Sequence, residues 1–89
     1  MNAVIVSVTI NDFDKAVETL RSQIVPMVSQ APGFVTGYWV SVENDTQGRG
    51  TIIMESEEAA QALADQIHGA PGDEVTLDSV HVGRVNAQA

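Results

Sequence analysis

The chain has 89 residues, 44% of them hydrophobic, with 12 acidic against 4 basic side chains and no cysteine. At that length a second core would bury too little surface to hold itself together, so one small domain is expected. A net charge of −8 offers no basic face for phosphates. That excludes nucleic acid and anionic membrane surfaces as partners, while the lack of cysteine excludes disulfides, thiolate nucleophiles and Cys-ligated metals.

The N-terminus, Met1-Asn2-Ala3-Val4, has no positively charged segment and no cleavage signal, and no apolar run approaches the ~20 residues of a membrane span, so a cytoplasmic protein is expected. Ala3 to Ile10 (AVIVSVTI) alternates, with Val4, Val6, Val8 and Ile10 on one face, and predicts a strand. Asn11 and Asp12 then offer N-cap side chains, and Phe13, Ala16, Val17, Leu20, Ile24, Met27 and Val28 recur at helical spacing. The pattern predicts a helix of roughly 16–18 residues ending before Pro32-Gly33. Pro26 removes a backbone donor inside it, which predicts a kink or a tightened last turn near Val25.

Phe34 to Glu43 (FVTGYWVSVE) reads as a second strand, Asn44 to Gly50 as a turn, and Thr51 to Glu55 as a short return strand. Ser56 is placed to cap a second helix with Glu57 and Glu58 in its first turn and Leu63 and Ile67 on its buried side. Gly69 is read as its stop, with Pro71-Gly72 beyond. Val75 to Val85 is a last strand. Its apolar residues change parity between Leu77 and Val80, which predicts a bulge near Ser79. A single domain therefore spans residues 1–86, followed by a short tail, 87–89.

The order β-α-β-β-α-β, with right-handed crossovers and a central hairpin, predicts an α+β, ferredoxin-like antiparallel sheet with strand order 4-1-3-2 and both helices on one face. Ile5, Ile53 and one of Tyr38 and Trp39 must then face away from the helices. An apolar sheet face calls for a partner, and the smallest solution is a homodimer packed face to face.

Within this layout, Ala31 to Val40 (APGFVTGYWV) and the run from the third strand into Ser56-Glu57-Glu58-Ala59-Ala60 resemble the dimeric α/β-barrel superfamily, in particular its antibiotic biosynthesis monooxygenase-like branch. The resemblance implies a dimeric α/β barrel. It is compatible with cofactor-independent monooxygenases, haem-degrading enzymes and isomerases of small lactones. Met54-Glu55-Ser56 stands where quinol- and haem-oxidising members carry an aromatic residue, and Ser7 and Thr9 stand where haem-degrading members place an Asn. His68 is at the position resembling their haem-binding His.

The site residues expected from these observations are His68 as a base that removes a phenolic proton, and Trp39, Tyr38 and Arg84 as substrate-binding groups. Packing, a favourable place against the helix dipole and an ion pair are the competing roles for the aromatics, His68 and Arg84 respectively. His81 reads as a half-buried strand residue, Arg49 as solvated, and Asp73-Glu74 as a solvated loop. No HxH, HxxxH or HxxE spacing exists and no GxSxG, so neither a metal nor hydrolysis by a serine nucleophile is expected, and no bound cofactor. Two functions fit: a monooxygenase-like or isomerase-like protein acting on a small hydrophobic aromatic metabolite between sheet and helices, or a non-catalytic homodimeric small-ligand-binding or structural protein.

Overall fold

A computed structural model describes residues 1–68 and 72–89. Strand β1 (Asn2–Ile10) leads into helix α1 (Phe13–Thr19), a π-helical segment (Leu20–Ile24) and helix α2 (Val25–Ser29). Strands β2 (Phe34–Val42) and β3 (Gln47–Met54) form the hairpin, and helix α3 (Glu57–His68) precedes strand β4 (Val75–Arg84). The four strands are antiparallel in the order β2-β3-β1-β4, the expected ferredoxin-like arrangement. Gly69 and Pro71, read from sequence as the stop of the second helix, lie outside the described residues.

Local chemistry accounts for most of the element boundaries. The Asp12 carboxylate accepts from the Lys15 backbone N–H at 3.2 Å and opens α1, while the Ser56 hydroxyl accepts from Ala59 N–H at 3.1 Å and opens α3. Asn11, the alternative cap, instead donates through its amide to the Asp73 carbonyl and the Thr76 hydroxyl. After α2 the chain turns at Gly33, whose φ of +85° favours glycine, and a Cβ there would come within 2.8 Å of the Ala59 Cβ. The Pro-Gly-Phe corner is thus the point where the chain passes against α3, and Gly33 C=O accepts from Glu55 N–H at 2.8 Å to fix it.

Two expectations change, and one irregularity is new. Of the kink or tightened turn expected near Val25, the tightened turn is not found and the helix widens there instead: Val25 N–H donates to the Leu20 carbonyl, five residues back, just before Pro26. Pro26 lacks the N–H of a regular helix and its ring crowds the preceding turn, which the wider turn relieves. The turn of the hairpin ends earlier than expected, and Gln47-Gly48-Arg49-Gly50 belongs to β3. Residues 43–46 make the reversal, with Glu43, Asn44 and Asp45 at positive φ, the Ser41 hydroxyl donating to Asp45 and the Thr46 hydroxyl to the Glu43 carbonyl. The new irregularity is a register shift between Phe34 and Thr36 in β2. The bulge expected in β4 is present: pairing passes from Ser7–Ser79 to Val8–Leu77, leaving Asp78 extra, and Thr9 donates to its carboxylate at 2.8 Å.

The core occupies only one end of the helix-covered face. Val4, Ile52 and Met54 from the sheet, Val28 from α2, and Ala60, Leu63 and Ala64 from α3 are fully or almost fully buried. The alanines let α3 lie close on β1, β3 and β4. Helix α1 and the π segment bury no residue completely, and α1 makes little contact with any strand. At that end Val6, Val8 and Ile10 stay partly accessible.

Candidate functional site

The gap between the raised helix and the sheet is a cavity of about 760 Å³. Its floor comes from β1, β3 and β4, with Val6, Val8, Ile10, Gly48, Gly50, Ile52, Val75 and Leu77. Its roof comes from Phe13, Val17, Leu20, Ile24 and Met27. Ile67 of α3 and Trp39 of β2 close the sides.

The floor is deep because β2 and β3 carry glycine where it faces the helices. Gly37 pairs with Ile52, Trp39 with Gly50, and Ser41 with Gly48, so these positions share the helix-facing side of the sheet. A Cβ on Gly50 would lie 3.0 Å from Trp39 Cδ1, and one on Gly37 would lie 3.1 Å from Trp39 Cη2. The indole is laid flat along the sheet in space that these two residues leave empty. A Cβ on Gly48 would meet Val8 at 2.8 Å, so that glycine also serves close packing rather than a turn.

The structure separates the residues singled out from sequence. Trp39 is half-buried and lines the cavity. Tyr38, its neighbour in an extended strand, projects from the opposite face and is 69% exposed. His68 ends α3 and is exposed, and the cavity is lined by Ile67 rather than by His68, one helical step of about 100° away. Arg84 is the last residue of β4, pairs with Asn2, and is exposed at the end of the sheet opposite the cavity. His81 is exposed and Arg49 bonds within its own strand, to the Gly48 carbonyl and the Gln47 amide oxygen. Of the four expected site residues, the geometry brings Trp39 alone to the cavity.

One lining residue runs against the sequence reading. Glu74, taken as part of a solvated loop, is only 8% exposed and is the one acidic side chain among the described residues lining the cavity. Its carbonyl accepts from both Asn11 N–H at 2.8 Å and Asp12 N–H at 3.1 Å, tying the start of β4 to the corner where β1 enters α1. Nothing in the sequence distinguishes Glu74 from exposed Asp73 beside it.

The face away from the helices carries Ile5, Ile53, Thr51, Tyr38 and Val40 across three adjacent strands. Ile5, Tyr38 and Val40 are exposed there. Among the described residues no group of three His, Cys, Asp or Glu side chains is arranged to hold a metal ion, and no helix is long and apolar enough to cross a membrane.

No protein-family model matches the chain, and no curated protein sequence matches it. Solved structures do. The chain is similar to MhuD, a haem degrader from Mycobacterium tuberculosis seen with two haems in its active site, at 22% identity and a TM-score of 0.59 over 97% of this chain and 98% of that one. It is similar to a monooxygenase from the gene ActVA-Orf6 of Streptomyces coelicolor, in complex with Nanaomycin D, at 16% identity and a TM-score of 0.59 over 99% and 91% of the two chains. These likenesses show the fold, a ferredoxin-like α+β architecture.

Proposed function

We propose that the chain is a monooxygenase-like or isomerase-like protein that takes a small hydrophobic aromatic metabolite into the cavity between sheet and helices, as a homodimer formed through the open sheet face and without a bound cofactor. The observation that carries this reading is the cavity itself. Its volume of about 760 Å³ is typical of a small-molecule site, which usually falls within about 300–1,000 Å³. Its lining is mainly apolar, with the Trp39 indole offering a flat face for stacking. Both structural neighbours hold ligands, haem in one and Nanaomycin D in the other, which supports a ligand-binding role for the same architecture here.

Trp39 is the aromatic wall in this reading, and Tyr38 belongs to the dimer interface with Ile5 and Val40. His68 and Arg84 are assigned no ligand contact, because neither lines the cavity. The lining contains no histidine among the described residues, so iron ligation by imidazole has no donor there, and a compact aromatic suits the site better than haem. The lining is also short of acid–base groups, and that favours a second reading, a ligand-binding protein without turnover.

Trp39 is the only tryptophan, so its emission reports the cavity directly. Titration with naphthalene-sized aromatics is expected to quench that emission and to raise the melting temperature. If no aromatic of this size does either, the cavity is not a ligand site. Oxygen uptake or product formation from a bound compound then separates enzyme from binder.

A further inference from the structure

We propose that Glu74 determines the specificity of the cavity: its carboxylate accepts a hydrogen bond from a hydroxyl or amine group on the hydrophobic ligand, and it turns away ligands that present a carboxylate. This inference rests on the reading of the cavity as a ligand site.

Glu74 is only 8% exposed and lies in the lining of a mainly apolar cavity, to which Ile10, Phe13 and Leu77 also contribute. Its position is set by the backbone rather than chosen by the side chain, since the Glu74 carbonyl holds the Asn11 and Asp12 N–H groups at 2.8 and 3.1 Å. The chain also leaves space for the carboxylate. A Cβ on Gly72 would fall within 2.5 Å of both of its oxygens, so any larger residue at Gly72 would collide with it. A carboxylate has lone pairs for several donors, and a ligand that brings an O–H or N–H into the cavity supplies one. A ligand carboxylate brings a like charge beside this side chain, on a protein whose net charge is already −8. The other charged residues of the described lining, Arg21 and Arg49, are exposed, and Arg49 is engaged within β3, so neither offsets that repulsion inside the chamber.

The test compares three probes that share a ring and a substitution position: naphthol, methoxynaphthalene and naphthoate. Calorimetric titration of the intact protein at neutral pH is expected to rank them in that order. Naphthol should bind about 10–100-fold more tightly than its methyl ether, the range set by one hydrogen bond to a charged acceptor. In Glu74→Gln the advantage should shrink to a few-fold and naphthoate binding should improve. Equal affinity of naphthol and methoxynaphthalene for the wild-type protein overturns the proposal. So does a naphthol advantage that survives intact in a folded Glu74→Gln variant. The wild-type comparison decides the matter even if that variant does not fold. Binding of all three without discrimination sinks this inference alone, whereas binding of none removes the ligand site on which it rests.

Discussion

Substituting Gly50 by Val perturbs a contact that shapes the cavity wall. In the native chain the position faces the indole of Trp39, and a Cβ there sits 3.0 Å from Cδ1 and 3.1 Å from Nε1. Carbon atoms prefer about 3.5–4.0 Å, so the new Cβ alone is roughly 0.5–1 Å too close, before the two methyl groups of valine are added. Gly50 is buried in β3, paired with both Val6 and Trp39, and the sheet backbone has nowhere to retreat. The ring must therefore leave the sheet. Overpacking of this kind costs about 1–3 kcal/mol. For a domain this small each 1 kcal/mol lowers Tm by roughly 4–8 °C, so a loss of about 2 kcal/mol corresponds to a fall of roughly 8–16 °C. Thermal unfolding followed by tryptophan fluorescence reads both consequences, the lower Tm and an emission shifted to the red as the indole moves into the open cavity. Gly83→Ala is the control, because a Cβ there meets nothing within 4 Å. A Gly50→Val protein with wild-type Tm and emission would refute the placement of Trp39 against the sheet.

Leu63→Ala, at a side chain only 1% exposed in the core, is expected to cost about 2–5 kcal/mol, measured as a lower urea midpoint with little change in slope. Asp12→Ala removes the cap of α1, a helix with no buried residue to hold it, and should cost about 0.5–2 kcal/mol while weakening aromatic binding, because α1 roofs the cavity. Ile5→Arg combined with Tyr38→Arg places two charges on the open sheet face and should convert a dimer to monomers in sedimentation. If the wild-type protein already sediments as a monomer, the proposed homodimer is wrong. His68→Ala should leave ligand affinity unchanged in the same titrations; a clear loss would bring the end of α3 into the site.

Most of the fold was legible because it rests on local periodicity. The alternation in β1, the helical recurrence from Phe13 to Val28 and the caps at Asp12 and Ser56 each correspond to structure at the expected residues. The parity change around Ser79 likewise corresponds to the bulge at Asp78. What the sequence hid depends on contacts between distant segments. Gly48 and Gly50 flank Arg49 and look like a turn, yet they are strand residues made small by Val8 and Trp39 across the sheet. Parity alone left open which of Tyr38 and Trp39 faces the helices, because both faces of the sheet carry apolar residues. The glycines at Gly37 and Gly50 decide it, and their role is visible only once β2 and β3 are paired. Glu74 was missed for a similar reason: it is buried where its backbone is clamped to Asn11 and Asp12, more than sixty positions earlier in the chain. Pro26 announced an irregular helix, and the turn that precedes it is widened rather than tightened.

The central claim is that the chamber roofed by α1 and the π segment, and not the open sheet face, receives the ligand. Intermolecular nuclear Overhauser effects between naphthol ring protons and assigned methyl groups test it directly. The account predicts contacts to Val8, Ile10, Leu20 and Ile24, which line the cavity, together with the indole of Trp39. Contacts confined to Ile5 and Ile53 on the open face, or none to any methyl at saturating naphthol, would contradict it.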